Sequence, residues 1–201
     1  QLDWNFVHDD LRGNQFVQNE AAHLRFLAGE NPGWPERILE ATALQVERNV
    51  ERLRSGDYEN EWASQTMTTQ NPVFMSGLGQ MTMGAPSPCF NGGLLQARVR
   101  YFDGDSQRPG LPTDVAALVE KLESDRALLV LANTGDAKSR KTIVQAGAYR
   151  EHTFKKVTTQ SESLSIDGEH FAVALAPHSV VRLDIEMDCF DNDPTYSFPW
   201  E

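Results

Sequence analysis

Cysteine is all but missing from this chain: 201 residues hold two, Cys89 and Cys189. That excludes a disulfide-stapled miniature fold and the thiolate clusters of structural zinc sites. The two lie far apart in sequence, so a bridge and a pair of buried thiols both stay open. Basic charge is scarce as well. Lys and Arg number 18 against 29 Asp and Glu, a formal net charge of -11, and both halves of the chain are acidic. No nucleic-acid or other phosphate-binding surface is expected from that balance. No apolar run approaches the length of a bilayer span, so no membrane partner is expected. Hydrophobic residues at 40% and charged residues at 23% are the composition of an ordinary soluble protein. Phosphate loop, dinucleotide fingerprint, nucleophile elbow and Cys-x-x-Cys pair are all absent, as are repeats. The start carries no basic region followed by an apolar one of the kind that directs secretion, which leaves the compartment open. Trp4, Phe6 and Val7 come at once, as expected of a processed product or a piece of a longer polypeptide.

What the chain does have is β patterning in its second half. From Leu94 the apolar period is two: Leu95, Ala97, Val99 and Tyr101 face one way, Gln96, Arg98 and Arg100 the other. Ala127 to Ala132 is almost wholly apolar, the pattern of a central strand covered on both faces. Asp114 to Leu122 fits helix or strand, and the turn-like Glu123-Ser124-Asp125 favours a strand entering a hairpin. Asp167-Gly168 separates two alternating runs and predicts a second hairpin, because both turn residues tolerate positive φ. Val181, Leu183, Ile185 and Met187 then alternate with Arg182, Asp184 and Glu186. The tail from Asp188 to Glu201 carries Phe190, Tyr196, Phe198 and Trp200 among prolines and acids, which predicts a strap across the body.

The first half is helical. A helix over Gln15 to Ala28 has Val17, Ala21, Leu24 and Ala28 at helical spacing and is broken by Gly29, Pro32 and Gly33. A longer one opens at Pro35 and runs to about Arg54, with Leu39, Thr42, Val46, Val50 and Leu53 as its stripe. A third starts at Asn71-Pro72, with Phe74, Leu78 and Met81 apolar. Its Gly77 and Gly79 cost helical propensity, which predicts close packing on a neighbour. Helices first and strands second, without βαβ alternation, give an α+β fold: helical hairpins over residues 1–92 packed on an antiparallel β-sandwich over 93–201.

The densest polar cluster is His8-Asp9-Asp10 followed by Asn19, Glu20 and His23. Glu20 and His23 are three apart and share a helix face. Such Glu-x-x-His pairs hold metals in bundles as two copies; with a single copy here, no metal is assigned. A histidine paired with a carboxylate can instead serve as proton donor and acceptor in hydrolysis or elimination. The competing explanation is a polar loop packed over a helix. Phe90-Asn91-Gly92-Gly93 lets backbone approach a ligand at Asn91, or simply makes a tight turn. Asp103-Gly104-Asp105 and Asp188 to Asp193 are acidic enough for calcium but lack the spacing of a calcium loop, so no cofactor is expected. Tyr149, Glu151 and His152 are expected at a solvated strand edge.

Ala127 to Thr134 (Ala-Leu-Leu-Val-Leu-Ala-Asn-Thr) and the later Leu-Ala-Pro-His-Ser-Val-Val-Arg-Leu resemble the C-terminal β-sandwich of many carbohydrate-active enzymes. The helices resemble the last hairpins of the (α/α) toroid that precedes that sandwich in several polysaccharide lyases and glycosidases. The resemblance implies the C-terminal portion, or one subunit, of such an enzyme. His8 or His23 would be acid or base, oriented by Asp10 and Glu20, with Asp9, Asn19 and Asn91 on the substrate. A second reading is a non-catalytic module binding glycan or protein through Trp4, Trp34, Trp62 or Trp200. Another chain, or upstream sequence, is expected to cover the helical stripes.

Overall fold

The computed structural model describes residues 20–56, 76–85 and 97–201. Within them the element order is three helices, α1 (Glu20–Leu27), α2 (Trp34–Ser55) and α3 (Ser76–Met83), followed by strands. The strands are β1 (Val99–Asp103), β2 (Arg108–Pro109), β3 (Val115–Leu122), β4 (Arg126–Asn133), β5 (Arg140–Ala146), β6 (Thr153–Thr158), β7 (Ser163–Gly168), β8 (His170–Leu175) and β9 (Ser179–Asp188). They form a four-stranded sheet in the order β2-β1-β5-β8 and a five-stranded sheet in the order β3-β4-β9-β6-β7. Every pairing is antiparallel. The fold is α+β with a β-sandwich-like C-terminal part. No described helix is long and apolar enough to cross a membrane.

The alternation seen in the sequence sets which faces meet. Val99 and Tyr101 of β1, Val144 and Ala146 of β5, Leu129 and Leu131 of β4, and Leu183, Ile185 and Met187 of β9 are buried in one cluster. Ala22, Phe26, Leu27, Trp34, Ile38 and Met81 of the helices belong to the same cluster. Helices and sandwich therefore share a core. Tyr101 pins the junction, its hydroxyl donating to the Thr82 carbonyl of α3, while Arg98 N donates to Met83 O at 2.9 Å. The stretch from Asp114 to Leu122 is indeed strand, entering a hairpin closed by Glu123 N to Arg126 O at 2.8 Å.

The second expected hairpin is not one. Asp167 does adopt positive φ, at 46°, but β7 pairs with β6 in the larger sheet and β8 pairs with β5 in the smaller. The Asp167-Gly168 corner thus hands the chain from one sheet to the other. Period-two alternation locates strands and leaves their partners open.

The buried helix faces are shifted from, and only partly overlap, the stripes that apolar spacing suggested: of the α2 stripe Thr42 is buried and Val46, Val50 and Leu53 are half-buried. In α1, Ala22, His23, Phe26 and Leu27 are buried, whereas Leu24 is 47% exposed. In α2 the buried stripe is Trp34, Pro35, Ile38, Thr42 and Asn49, and Leu39 faces solvent. Gly77 of α3 packs as expected: a Cβ there would lie 2.6 Å from Ile38 Cγ1 and 3.2 Å from Thr42 Oγ1. The turn after α1 is closed by Gly29 at φ 83°, with Gly29 N bonded to Phe26 O and Glu30 N to Arg25 O, the paired bonds that end a helix on a left-handed residue.

Candidate functional site

Of the residues expected to carry chemistry, His8, Asp9, Asp10, Asn19 and Asn91 lie outside the described residues. So do Trp4, Trp62 and Cys89. Glu20 begins α1. His23 is fully buried, its ring stacked on Phe26 with centroids 6.4 Å apart. Neither ring nitrogen has a hydrogen-bond partner among the described residues. Burial holds its pKa down to about 4, opposed by the Ala85 backbone, which lies near the ring but outside hydrogen-bond geometry. So enclosed an imidazole is neutral near neutral pH, without the imidazolium proton that a general acid transfers. Trp34 is buried too, at 1% exposed.

Asp103 is spent on its own turn. Its carboxylate accepts from Asp105 N, Ser106 N and Ser106 Oγ, the last at 2.5 Å, and Arg108 lies 3.4 Å away. Burial acts to raise its pKa, but these bonds outweigh it and hold the carboxyl below the usual range. Among the described residues no group of three or more His, Cys, Asp or Glu is placed to hold a metal ion.

A richer arrangement lies at the loop joining β5 to β6. Tyr149, Glu151 and His152 were expected at a solvated edge, yet Glu151 and His152 are buried. Glu151 accepts from Ala148 N at 3.1 Å and Tyr149 N at 2.6 Å. Gly147, at φ 80°, leaves it room: a Cβ there would come within 2.4 Å of the carboxyl carbon. His152 Nδ1 accepts from Phe190 N at 3.0 Å. Burial lowers its pKa, with Glu151 opposing and Arg98 reinforcing. The Arg98 guanidinium contacts Cys189 Sγ, and Cys189 also donates to Ser124 O at 3.3 Å. Burial raises the Cys189 pKa despite that guanidinium, so the thiol is not primed as a nucleophile.

On the outer face of the four-stranded sheet the register aligns Arg100 with Gln145 and Gln145 with His170. Opposed residues on neighbouring strands share a face, so a polar row crosses three strands, its middle member Gln145 buried and Arg100 and His170 half-buried. Arg100 donates to Ala148 O at 3.0 Å, and Gln145 Nε2 reaches the same oxygen at 3.1 Å. Gln145 Oε1 is buried without a donor among the described residues. Arg150 Nε lies 3.1 Å from both His170 Nε2 and Glu169 Oε2. As an acceptor from arginine, that Nε2 is unprotonated, which places the proton of the neutral ring on Nδ1. Burial, reinforced by Arg150 and opposed by Glu169, lowers the His170 pKa.

Beside this row sits an aromatic group. Arg100 stands 5.0 Å from the Phe102 ring centre. Phe198 and Trp200 of the tail stack on each other at 5.2 Å, and both meet Phe102 edge-on. The tail is the expected strap, tied by Asn192 Nδ2 to Arg150 O, His152 O and Thr153 Oγ1. The sequence set Arg98 and Arg100 on the face opposite Val99 and Tyr101. It gave no sign of Gln145, Arg150 or His170, because the register that gathers them is between strands remote in the chain.

Residues 1–79 match a family model described as "Domain of unknown function (DUF8034)". The match ends inside α3, so the sandwich lies wholly beyond it. No curated protein and no solved structure matches the chain.

Proposed function

We propose that the chain is the C-terminal portion of a carbohydrate-active enzyme, and that its sandwich serves there as a glycan-binding module. The observation that carries this reading is the outer face of the four-stranded sheet. Two half-buried hydrogen-bonding side chains, Arg100 and His170, stand either side of the buried Gln145, and Arg100 lies by the Phe102 ring that Phe198 and Trp200 meet edge-on. Sugar rings offer apolar C–H faces and a rim of hydroxyls. Aromatic rings beside planar polar groups complement both.

The resemblance to carbohydrate-active sandwiches gains support from a clasp. The strand ending in Asn133-Thr134 and the turn Leu175-Ala176-Pro177-His178-Ser179 meet in space. Asn133 Nδ2 donates to Leu175 O at 3.1 Å, His178 N reaches Gly135 O at 3.2 Å, and Asn133 pairs with Ser179. These bonds tie β4 of one sheet to β8 of the other. That gives both motifs a physical reason to occur together. The enclosed state of His23 argues that acid–base chemistry in such an enzyme comes from groups other than this histidine.

Affinity electrophoresis of the full chain through gels cast with individual soluble polysaccharides tests the proposal. At least one polysaccharide should retard the protein, and unchanged migration in all of them would exclude a glycan-binding module. In the larger enzyme, His23→Leu should turn over substrate as wild type does. A loss of about a hundredfold or more would return His23 to the role of acid or base.

A further inference from the structure

The sandwich holds seven arginines, at 98, 100, 108, 126, 140, 150 and 182. Five have a carboxylate within ion-pair distance: Arg108 with Asp103, Arg126 with Asp184, Arg140 with Asp114, Arg150 with Glu169, and Arg182 with Glu120. Arg98 reaches Cys189. Arg100 stands apart. It is half-buried, among the described residues it makes one hydrogen bond, to a backbone carbonyl, and it lies against the Phe102 ring. In a chain whose acids outnumber its bases by 11, Arg98 and Arg100 are the two of these seven without a carboxylate partner among the described residues, and Arg98 spends its guanidinium on Cys189. The remaining N–H donors of Arg100 form a planar fork suited to a carboxylate.

We infer that Arg100 receives the carboxylate of an acidic sugar residue, a hexuronate within a glycan chain, whose ring lies along the aromatic group of Phe198 and Trp200. The inference rests on the glycan-binding reading and names its ligand class. His170 contributes its Nδ1–H, which has no partner among the described residues, one strand beyond Gln145. Arg150 is already neutralised by Glu169 and orients His170 instead. A neutral sugar would leave the Arg100 charge unanswered. A free inorganic anion would leave the aromatic rings unused.

Isothermal titration calorimetry of the full chain with oligogalacturonate, a neutral xylo-oligosaccharide and inorganic phosphate tests this. Oligogalacturonate should bind at least tenfold more tightly than the other two, and added salt should weaken it. Arg100→Gln should cost roughly ten- to hundredfold in affinity, as expected for a charge-assisted bond. Arg100→Lys, which keeps the charge and loses the fork, should fall between. His170→Gln should weaken binding less, and either of these variants serves if Arg100→Gln does not fold. Trp200→Phe should retain most of the affinity. Equal binding of acidic and neutral oligosaccharides, unaffected at Arg100, would overturn the acidic-sugar assignment and leave the glycan-binding reading standing. Phosphate binding as tightly as the oligomer would also overturn it. No binding of either sugar, together with no retardation in any polysaccharide gel, would remove both.

Discussion

His23 shows how one side chain can be costly and still fixed in place. Its ring is enclosed, and burial holds its pKa near 4 against an ordinary value of 6.5. The unfolded chain therefore takes up the proton first as pH falls. Stability is complete above 6.5 and is lost progressively as pH drops towards 4. The full span is about 3 kcal/mol. His152 and His170 are also shifted down by burial, so they act in the same direction. Asp103 and Asp184, whose pKa values are lowered, stabilise the fold above 3.8 and lose that contribution only as pH falls below it. Urea unfolding midpoints measured across the window from 6.5 to 4 should decline, and more steeply in wild type than in His23→Leu. A flat profile in wild type would contradict the buried, neutral state of this residue.

At the scale of the element, the helices separate apolar spacing from actual burial. Phe26 is 7% exposed and packs into the shared core, while Leu24, two residues earlier, is 47% exposed. Phe26→Ala should therefore cost about 3 kcal/mol. Leu24→Ala should stay within about 0.5 kcal/mol of wild type. Chemical denaturation of the two variants checks which face is buried, and equal losses would mean that the face is misassigned. Gly77 makes a sharper case. Alanine is the better helix former by roughly 1 kcal/mol, yet its Cβ would lie 2.6 Å from Ile38 Cγ1. Overpacking of that kind costs about 1–3 kcal/mol, so Gly77→Ala should destabilise on balance. Ile38→Ala removes the obstructing atom. The double variant should then be less damaged than the sum of the two single losses, a coupling that thermodynamic cycles measure. Simple additivity would show that α2 and α3 are not in contact at this point.

Across the whole molecule, the tail forms no strand but covers the outer face of the four-stranded sheet at Phe102. Phe102 is 1% exposed although it alternates with Tyr101 and so points away from the core. Phe198 and Trp200 lie against its ring. Trp200→Ala should uncover Phe102 and cost about 2 kcal/mol. Thermal unfolding checks this, and a variant as stable as wild type would mean that the strap adds nothing to the sandwich. The sequence by itself determined the element types, the turn at Glu123-Ser124-Asp125, the inward set Leu183, Ile185 and Met187, the close contact at Gly77 and the strapped tail. Each of these follows from residue type and local spacing, which act within a few positions along the chain. Tertiary structure alone decided that Asp167-Gly168 crosses between sheets, that Ala22 and Phe26 face inward in place of Leu24, and that Glu151 and His152 are enclosed. It also decided that Arg100, Gln145 and His170 form one row. Cross-strand register and helix docking are set by which surfaces pack best over the entire core, and contacts between residues far apart in sequence leave no periodic trace in either segment.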